Sequence, residues 1–499
     1  MKKVQFNLLH SVTLVLALVF LFAACEEEVV VEKEKEKEEE TERPKFFVDI
    51  RITKLPDKTT FRLGEEPDFS GLEVVELYTD GSKKPITDFE VSCSDILLKK
   101  GTTKATVTAR NRSKTFNITF EGDLVETGLP VVYIVTEGNA VIDSKENYVN
   151  ATMTIKEKGK ELSKQSMRIR GRGNATWTYP KKPYRLKLDN KSALLGMNEH
   201  KDWVLLANYC DKSLLRTGIS FKLSELMKFA WTPDSRFVEV VLNEEYMGNY
   251  QLVEQIKRDK NRVNIPKDGY LFERDNYYWQ EPRYFVSNRG YGYSFKNPDP
   301  EEDLTDEQWQ YILDYVNELE AVLASDHWND PETGYPKYID TRSFALWFIF
   351  HNILANIDTN VYMTKDDMGS SKIVMGPVWD FEWSIGIGWY DGPRPRPANY
   401  YVWNRDFYFD TLLKDPAFKK LIKEEWQKLD VYDQLLNYFD ETAKLLDKSQ
   451  KFNFRRWDIL NIRVSVGGRP LGSYEEEVAC DRQFFINHYN WLNGEIYRY

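Results

Sequence analysis

The chain has 499 residues, of which 42% are hydrophobic and 29% charged, and its formal net charge is −11. That length allows two or three domains with real cores. Past Cys25 three cysteines remain, an odd count with no C-x-x-C spacing, so neither a zinc knuckle nor a disulfide framework is indicated; no nucleic-acid partner is expected.

Residues 1–24 read as a signal peptide. Lys2 and Lys3 form a basic start, and Ser11 to Phe22 is an apolar run too short to span a bilayer comfortably. Leu21-Phe22-Ala23-Ala24-Cys25 resembles a lipobox, with Cys25 as the residue that would carry the lipid and anchor the chain to a membrane. Residues 25–45 follow as an acidic tether. Between Glu26 and Pro44 ten acids face four bases, and such a stretch has no apolar surface to bury. An acidic run directly behind the lipidated cysteine resembles the surface-export signal of outer-membrane lipoproteins, so the outer face of an outer membrane is the expected location. Of the other cysteines, Cys210 and Cys480 are a possible pair, but three buried free thiols are expected.

Residues 46–122 read as an all-β domain. Val48, Ile50 and Ile52 alternate with polar residues, as do Phe116, Ile118 and Phe120, and Asp80-Gly81 marks a tight turn. Short strands at this spacing predict a small sandwich. The stretch ITKLPDKTTFRLGEEPDFSGLEVVELYTDGSKKPI resembles a bacterial immunoglobulin-like module, which implies a free-standing spacer.

From residue 128 to 499 strands come first and helices after, an α+β pattern that predicts two lobes with a cleft between them. LPVVYIVTE, YVNATMTI, SMRIRG and PYRLKL are the clearest strands. FVEVVLNEEYMGNYQLVEQI reads as a hairpin turning at Asn243-Glu244. SLLRTGISFKLSELMKF, DEQWQYILDYVNELEAVL, TRSFALWFIFHNILANI and PAFKKLIKEEWQKLD carry apolar residues at helical spacing.

No G-x-S-x-G, G-x-x-x-x-G-K-[ST] or H-E-x-x-H motif is present. Two segments carry candidate chemistry. In RIRGRGNATWTYPKKPYRLKL, Gly171 and Gly173 lie in a basic turn whose N–H groups would let a phosphate approach closely. Lys181, Lys182, Arg185 and Lys187 follow, and strand alternation puts Arg185 and Lys187 on the face opposite Leu186 and Leu188. That cationic face meets either plain solvent or a polyanion. In the second segment, Asn356, Asp358 and Asn360 follow an apolar helix, while Asp380 and Glu382 follow the strand-like run KIVMGPVW. Acids at the ends of buried elements are costly unless paired or metal-bound, and oxygen ligands suit Mg²⁺ or Mn²⁺. They either cap turns or belong to a phosphoryl-transfer site. His351, two helical turns before Asp358, either borders that site or packs in the core.

The blocks RGRGNATWTYPKKPYRLKL, HKDWVLLANYCDKSLLRTGISFKL, MGNYQLVEQIKRDKNRVNI, NIDTNVYMTKD and GPVWDFEWSIG, in that order, resemble the CotH family of spore-coat-type kinases. The resemblance implies a divergent two-lobed kinase-like fold that uses ATP with Mg²⁺ or Mn²⁺ to phosphorylate Ser or Thr of a protein acceptor at the cell surface. It implies Asp358 as the catalytic acid and Asp380 as a metal ligand, with Asn360 a second ligand. Arg172, Lys182, Lys187 and Glu254 would serve the nucleotide and its phosphates; Glu382 is not counted as catalytic. The alternative is a non-catalytic adhesin or glycan binder, for which Tyr277-Tyr278-Trp279, Trp389-Tyr390 and Tyr400-Tyr401-Trp403 offer rings to stack on sugars. A carboxylate-pair hydrolase is a weaker third reading.

Overall fold

The computed structural model describes residues 44–93, 98–358, 360–388, 392–464 and 469–499. The signal segment, Cys25 and nearly all of the tether lie outside these residues, as do Trp389 and Tyr390.

The chain first folds into two small sheets. Strands β1 (Phe47–Lys54), β3 (Glu73–Tyr78) and β4 (Lys83–Ile86) form one; β2 (Thr60–Leu63), β7 (Arg112–Leu124), β6 (Gly101–Ala109) and β5 (Glu90–Cys93) form the other, in that order. The predicted turn is present. Gly81 takes φ +81°, and the Asp80 carboxylate accepts from the Ser82 N–H at 2.9 Å. Alternation puts Ile50, Val74, Val107, Phe116, Ile118 and Phe120 into a shared core between the sheets.

This all-β unit is not free-standing. Leu63, Leu98 and Leu124 pack with Val131, Val241 and Tyr246 of the next unit. Around that apolar seam, the Lys100 N–H donates to the Glu244 carbonyl at 2.9 Å and the Leu124 N–H to the Tyr133 hydroxyl at 2.9 Å.

The second unit is a closed barrel. Its strands are β8 (Val131–Thr136), β9 (Val149–Glu157), β10 (Lys160–Gly171), β11 (Tyr184–Ser192), β12 (His200–Leu206), β13 (Ser235–Leu242) and β14 (Glu245–Glu254), arranged β10-β11-β12-β14-β13-β8-β9. A parallel pairing, Val132 with Val240, closes it, and closure removes exposed sheet edges. Asn243 and Glu244, at φ +47° and +68°, make the tight turn expected of them. Two helices interrupt the barrel sequence: the single turn α1 (Ala175–Thr178), and α2 (Arg216–Leu226), which leaves the barrel to join the core of the third unit.

That third unit packs helices on a five-stranded sheet of β16 (Tyr284–Val286), β17 (Gly292–Asn297), β15 (Tyr270–Arg274), β18 (Val361–Lys365) and β19 (Val374–Met375), in that order. Its helices are α3 (Asp306–Leu323), α4 (Thr341–Ile353), α5 (Phe407–Leu412), α6 (Pro416–Gln427), α7 (Tyr432–Leu445), α8 (Asp447–Arg456) and α9 (Tyr474–Ile496). Helix α4 is buried from Phe344 to Ile353, the pattern of a helix apolar on all sides. The strand-like run KIVMGPVW contributes only the two residues of β19. Among the described residues, no helix is long and apolar enough to cross a membrane. Cys93, Cys210 and Cys480 are all free thiols; Cys93 departs from expectation in being only half-buried.

Two outcomes follow from these cores. Phe120→Ala removes a fully buried ring from the first core and should destabilise that unit by about 3–5 kcal/mol, read as an early transition in chemical denaturation. His351, stacked 3.8 Å from the Trp347 ring, has its pKa pushed down by burial from 6.5 to about 3. The unfolded chain therefore takes up this proton first as the pH falls through 6.5. Between pH 7 and pH 5 this one group should cost about 2 kcal/mol of stability, read as the difference in pH slope between wild type and His351→Phe.

Candidate functional site

Helix α4 ends at Ile353, and Ala355 at φ +48° turns the chain toward Asn356, which is fully buried. The Asn356 side chain does three things. Its Nδ2 donates to the Asp380 carbonyl at 3.1 Å and lies 3.3 Å from His351 Nδ1, while its Oδ1 accepts from the Asp358 N–H at 3.3 Å. The Trp403 indole N–H holds the Asn356 carbonyl at 2.9 Å, and the Asn360 N–H donates to the Asp358 carboxylate at 3.4 Å. One buried amide thus joins the segment of Asp358 and Asn360 to that of Asp380, although they are far apart in sequence.

Asp380 itself sits at φ +66°, an uncommon conformation for a residue with a side chain. Strain of this kind persists only where the surroundings enforce it. Close by, the Arg216 guanidinium, wholly buried, donates from Nε to the Ser384 carbonyl at 3.0 Å and pairs with Asp211 and Asp481. Arg394 extends the network to Asp481, at 3.3 Å, and Glu477, so the loop after Asp380 is held from α2 and α9 together. Burial pushes the Asp481 carboxyl up to about 7, with Arg216 and Arg394 opposing it.

Facing Asp380 is Arg172, whose guanidinium lies 5.7 Å from the Trp379 ring. Burial raises the Asp380 carboxyl and lowers the Arg172 guanidinium, so desolvation outweighs their mutual attraction on both partners. Glu382 is pushed up to about 8, first by burial and then by the charges of Asp380 and Asp211. Crowded, half-buried carboxylates with oxygen donors only are a fit for a hard divalent cation. Among the described residues there is no group of three acidic, histidine or cysteine side chains that holds a metal alone. Mg²⁺ ordinarily needs only one or two carboxylates, since phosphate oxygens complete its shell.

The glycine turn departs from expectation. The Gly171 N–H donates to the Ser144 carbonyl at 2.8 Å and the Arg172 N–H to the Pro183 carbonyl at 3.3 Å, so neither of those two is open to a phosphate. Gly171 is needed for a different reason: a Cβ there would lie 2.4 Å from the Trp177 ring. The turn offers the site the Arg172 side chain.

Further along β11, alternation is as predicted, with Tyr184, Leu186 and Leu188 inside the barrel and Arg185 and Lys187 outside. Lys187 stands in register with Asp202, and Arg185 reaches the same carboxylate at 3.4 Å. Although burial pushes Asp202 up, Arg185, Lys257, His200 and Lys187 together hold it below the usual range. Lys257, not singled out in the sequence, is lowered by burial and by Arg185. Arg172 also feels the charges of Asp380 and Arg185, so Arg172, Arg185, Lys187 and Lys257 lie within electrostatic reach of one another as a cationic row with Arg172 beside Asp380.

Lys182 and Glu254, also expected to serve the nucleotide, make other contacts. Lys182 Nζ donates to the Trp177 carbonyl at 2.6 Å and sits over that ring. Glu254 accepts from the Asp234 N–H at 3.1 Å and neighbours Arg262, and no ion pair joins it to Lys182 or Lys187 among the described residues. Lys181, the first of the cations after the glycine turn, is buried against Asn453 Oδ1 at 2.8 Å with its pKa lowered by burial to about 7. His351 is a packed core histidine.

No curated protein matches the chain. A family model described as CotH kinase protein matches residues 169–492, nearly two thirds of the sequence, and spans the glycine turn, the cationic row, Asn356, Asp358, Asp380 and Asp481. The chain belongs to the CotH kinase protein family.

Proposed function

We propose that this protein is an extracytoplasmic, metal-dependent kinase that transfers the γ-phosphoryl group of ATP to Ser or Thr of surface or exported proteins. The observation that carries the reading is the Asn356 tie, which sets Asp358 and Asp380 on one buried anchor with Arg172 opposite. In this reading the barrel and the helical body act as the two lobes of a divergent kinase.

Each residue has a part. Asp358 orients the acceptor hydroxyl and takes its proton as the oxygen bonds to the γ-phosphorus. The bond from that phosphorus to the β–γ bridging oxygen breaks, and ADP leaves. Asp380, with Asn360 from the other segment, would hold Mg²⁺ or Mn²⁺. Bound there, the metal would supply positive charge to the phosphate oxygens. Arg172, Arg185 and Lys187 balance the remaining phosphate charge, and the half-buried setting strengthens every such interaction.

The location is proposed from the N-terminal sequence alone. Cleavage before Cys25 and lipidation of its thiol would tether the protein to the outer membrane, with the acidic segment lifting it toward acceptors at the surface.

With labelled ATP and Mg²⁺ or Mn²⁺, the purified protein should phosphorylate itself or an added acceptor. Asp380→Ala should abolish transfer, and Asp358→Ala should lower it by about 10²–10⁴-fold, both without loss of fold. Label appearing equally on wild type and Asp380→Ala would refute the assignment. Asn356→Ala should both slow transfer and destabilise the body by about 1–3 kcal/mol, since it strips buried partners from two segments at once.

A further inference from the structure

Of the aromatic clusters evident in the sequence, the described residues separate two by burial. Tyr401 packs on Trp491 at 4.9 Å, Trp403 on Trp347 at 4.9 Å, and Tyr400 on His488 at 5.4 Å, so that group belongs to the core. Tyr277-Tyr278-Trp279, between β15 and β16, is different. Tyr277, Trp279 and the neighbouring Tyr284 remain 38%, 57% and 39% exposed. Their rings touch one another through Tyr278: Trp279 at 5.3 Å and Tyr284 at 5.1 Å from it, with Tyr277 at 5.8 Å from Trp279.

The platform is built, not incidental. Tyr278 lies against Gly292, where a Cβ would come within 1.8 Å of the ring. Buried Asp275 holds the turn, accepting from the Tyr277 N–H at 2.7 Å and donating its own N–H to the Gly292 carbonyl at 3.0 Å. Beside the rings, a concavity of 460 Å³ is lined by Arg283, Tyr284, Trp309 and Gln310.

We propose that this platform binds a neutral polysaccharide, independently of the phosphoryl-transfer site. A pyranose ring has an apolar C–H face and a rim of hydroxyls, and a Tyr or Trp ring likewise joins an apolar face to a polar tip. Among the described residues, the Tyr277, Tyr278 and Tyr284 hydroxyls and the Trp279 indole N–H have no hydrogen-bond partner, so a lipid or purely apolar ligand would bury them unpaired. Local charge argues against an anion. Arg283 is paired with Asp306 at 2.8 Å and Lys296 with Glu281 at 2.9 Å, so neither of these neighbouring cations stands free. Rings fixed before binding lose little freedom on stacking.

The test titrates the full-length protein with maltohexaose, cellohexaose and mannohexaose, and with a polygalacturonate hexamer as the anionic probe, following tryptophan fluorescence and heat. Saturable binding of at least one neutral hexasaccharide is expected. Trp279→Ala should weaken it by about tenfold or more with an unchanged melting temperature, while Asp380→Ala should bind as wild type does. The proposal is overturned by no binding of the neutral probes at millimolar concentration, by preference for polygalacturonate, or by equal binding to Trp279→Ala.

Discussion

The arrangement of the site depends on one buried carboxamide. Asn356 accepts from the Asp358 N–H and donates to the Asp380 carbonyl, so neither acid can shift without breaking a hydrogen bond to a buried amide. Such bonds contribute modestly when made and are costly to leave unmade. Arg216 does the same for the loop behind Asp380, with two buried carboxylates compensating its charge. The uncommon backbone of Asp380 is held between these anchors.

The units on either side contribute charge of opposite sign. The barrel presents Arg172, Arg185, Lys187 and Lys257 from its outer wall and neighbouring segments; the helical body presents Asp358, Asp380 and Glu382. Desolvation acts against the charged forms of Arg172, Asp380, Glu382 and Lys257. A ligand carrying both phosphate and divalent metal would satisfy both groups at once, which neither metal nor phosphate does alone.

Local features were legible in the sequence because local rules govern them. Alternation placed Leu186 inside and Arg185 outside, Asn243-Glu244 turned the hairpin, and helical spacing located α3 and α4. Features made by distant partners were not. Nothing near Val132 announces its pairing with Val240, and Arg216 gives no local sign of meeting Asp481. Asn356 was visible only as a polar residue after an apolar helix, since its role lies in Asp380, which loops back to it. Gly171 was read as room for a phosphate, but the space it leaves is filled by Trp177, and the residue pair alone does not distinguish a small ligand from a large side chain. The run KIVMGPVW has strand composition, yet the only strand within it is β19.

The most direct test of the central claim is the melting temperature of the purified protein as ATP is titrated at fixed Mg²⁺. If Asp358, Asp380 and the cationic row form one nucleotide site, stability rises with ligand, by about 2.7 kcal/mol at a hundred times the dissociation constant. The rise should disappear without metal and in Asp380→Ala. An unchanged melting temperature in the wild type, or an equal shift in Asp380→Ala, would contradict the account.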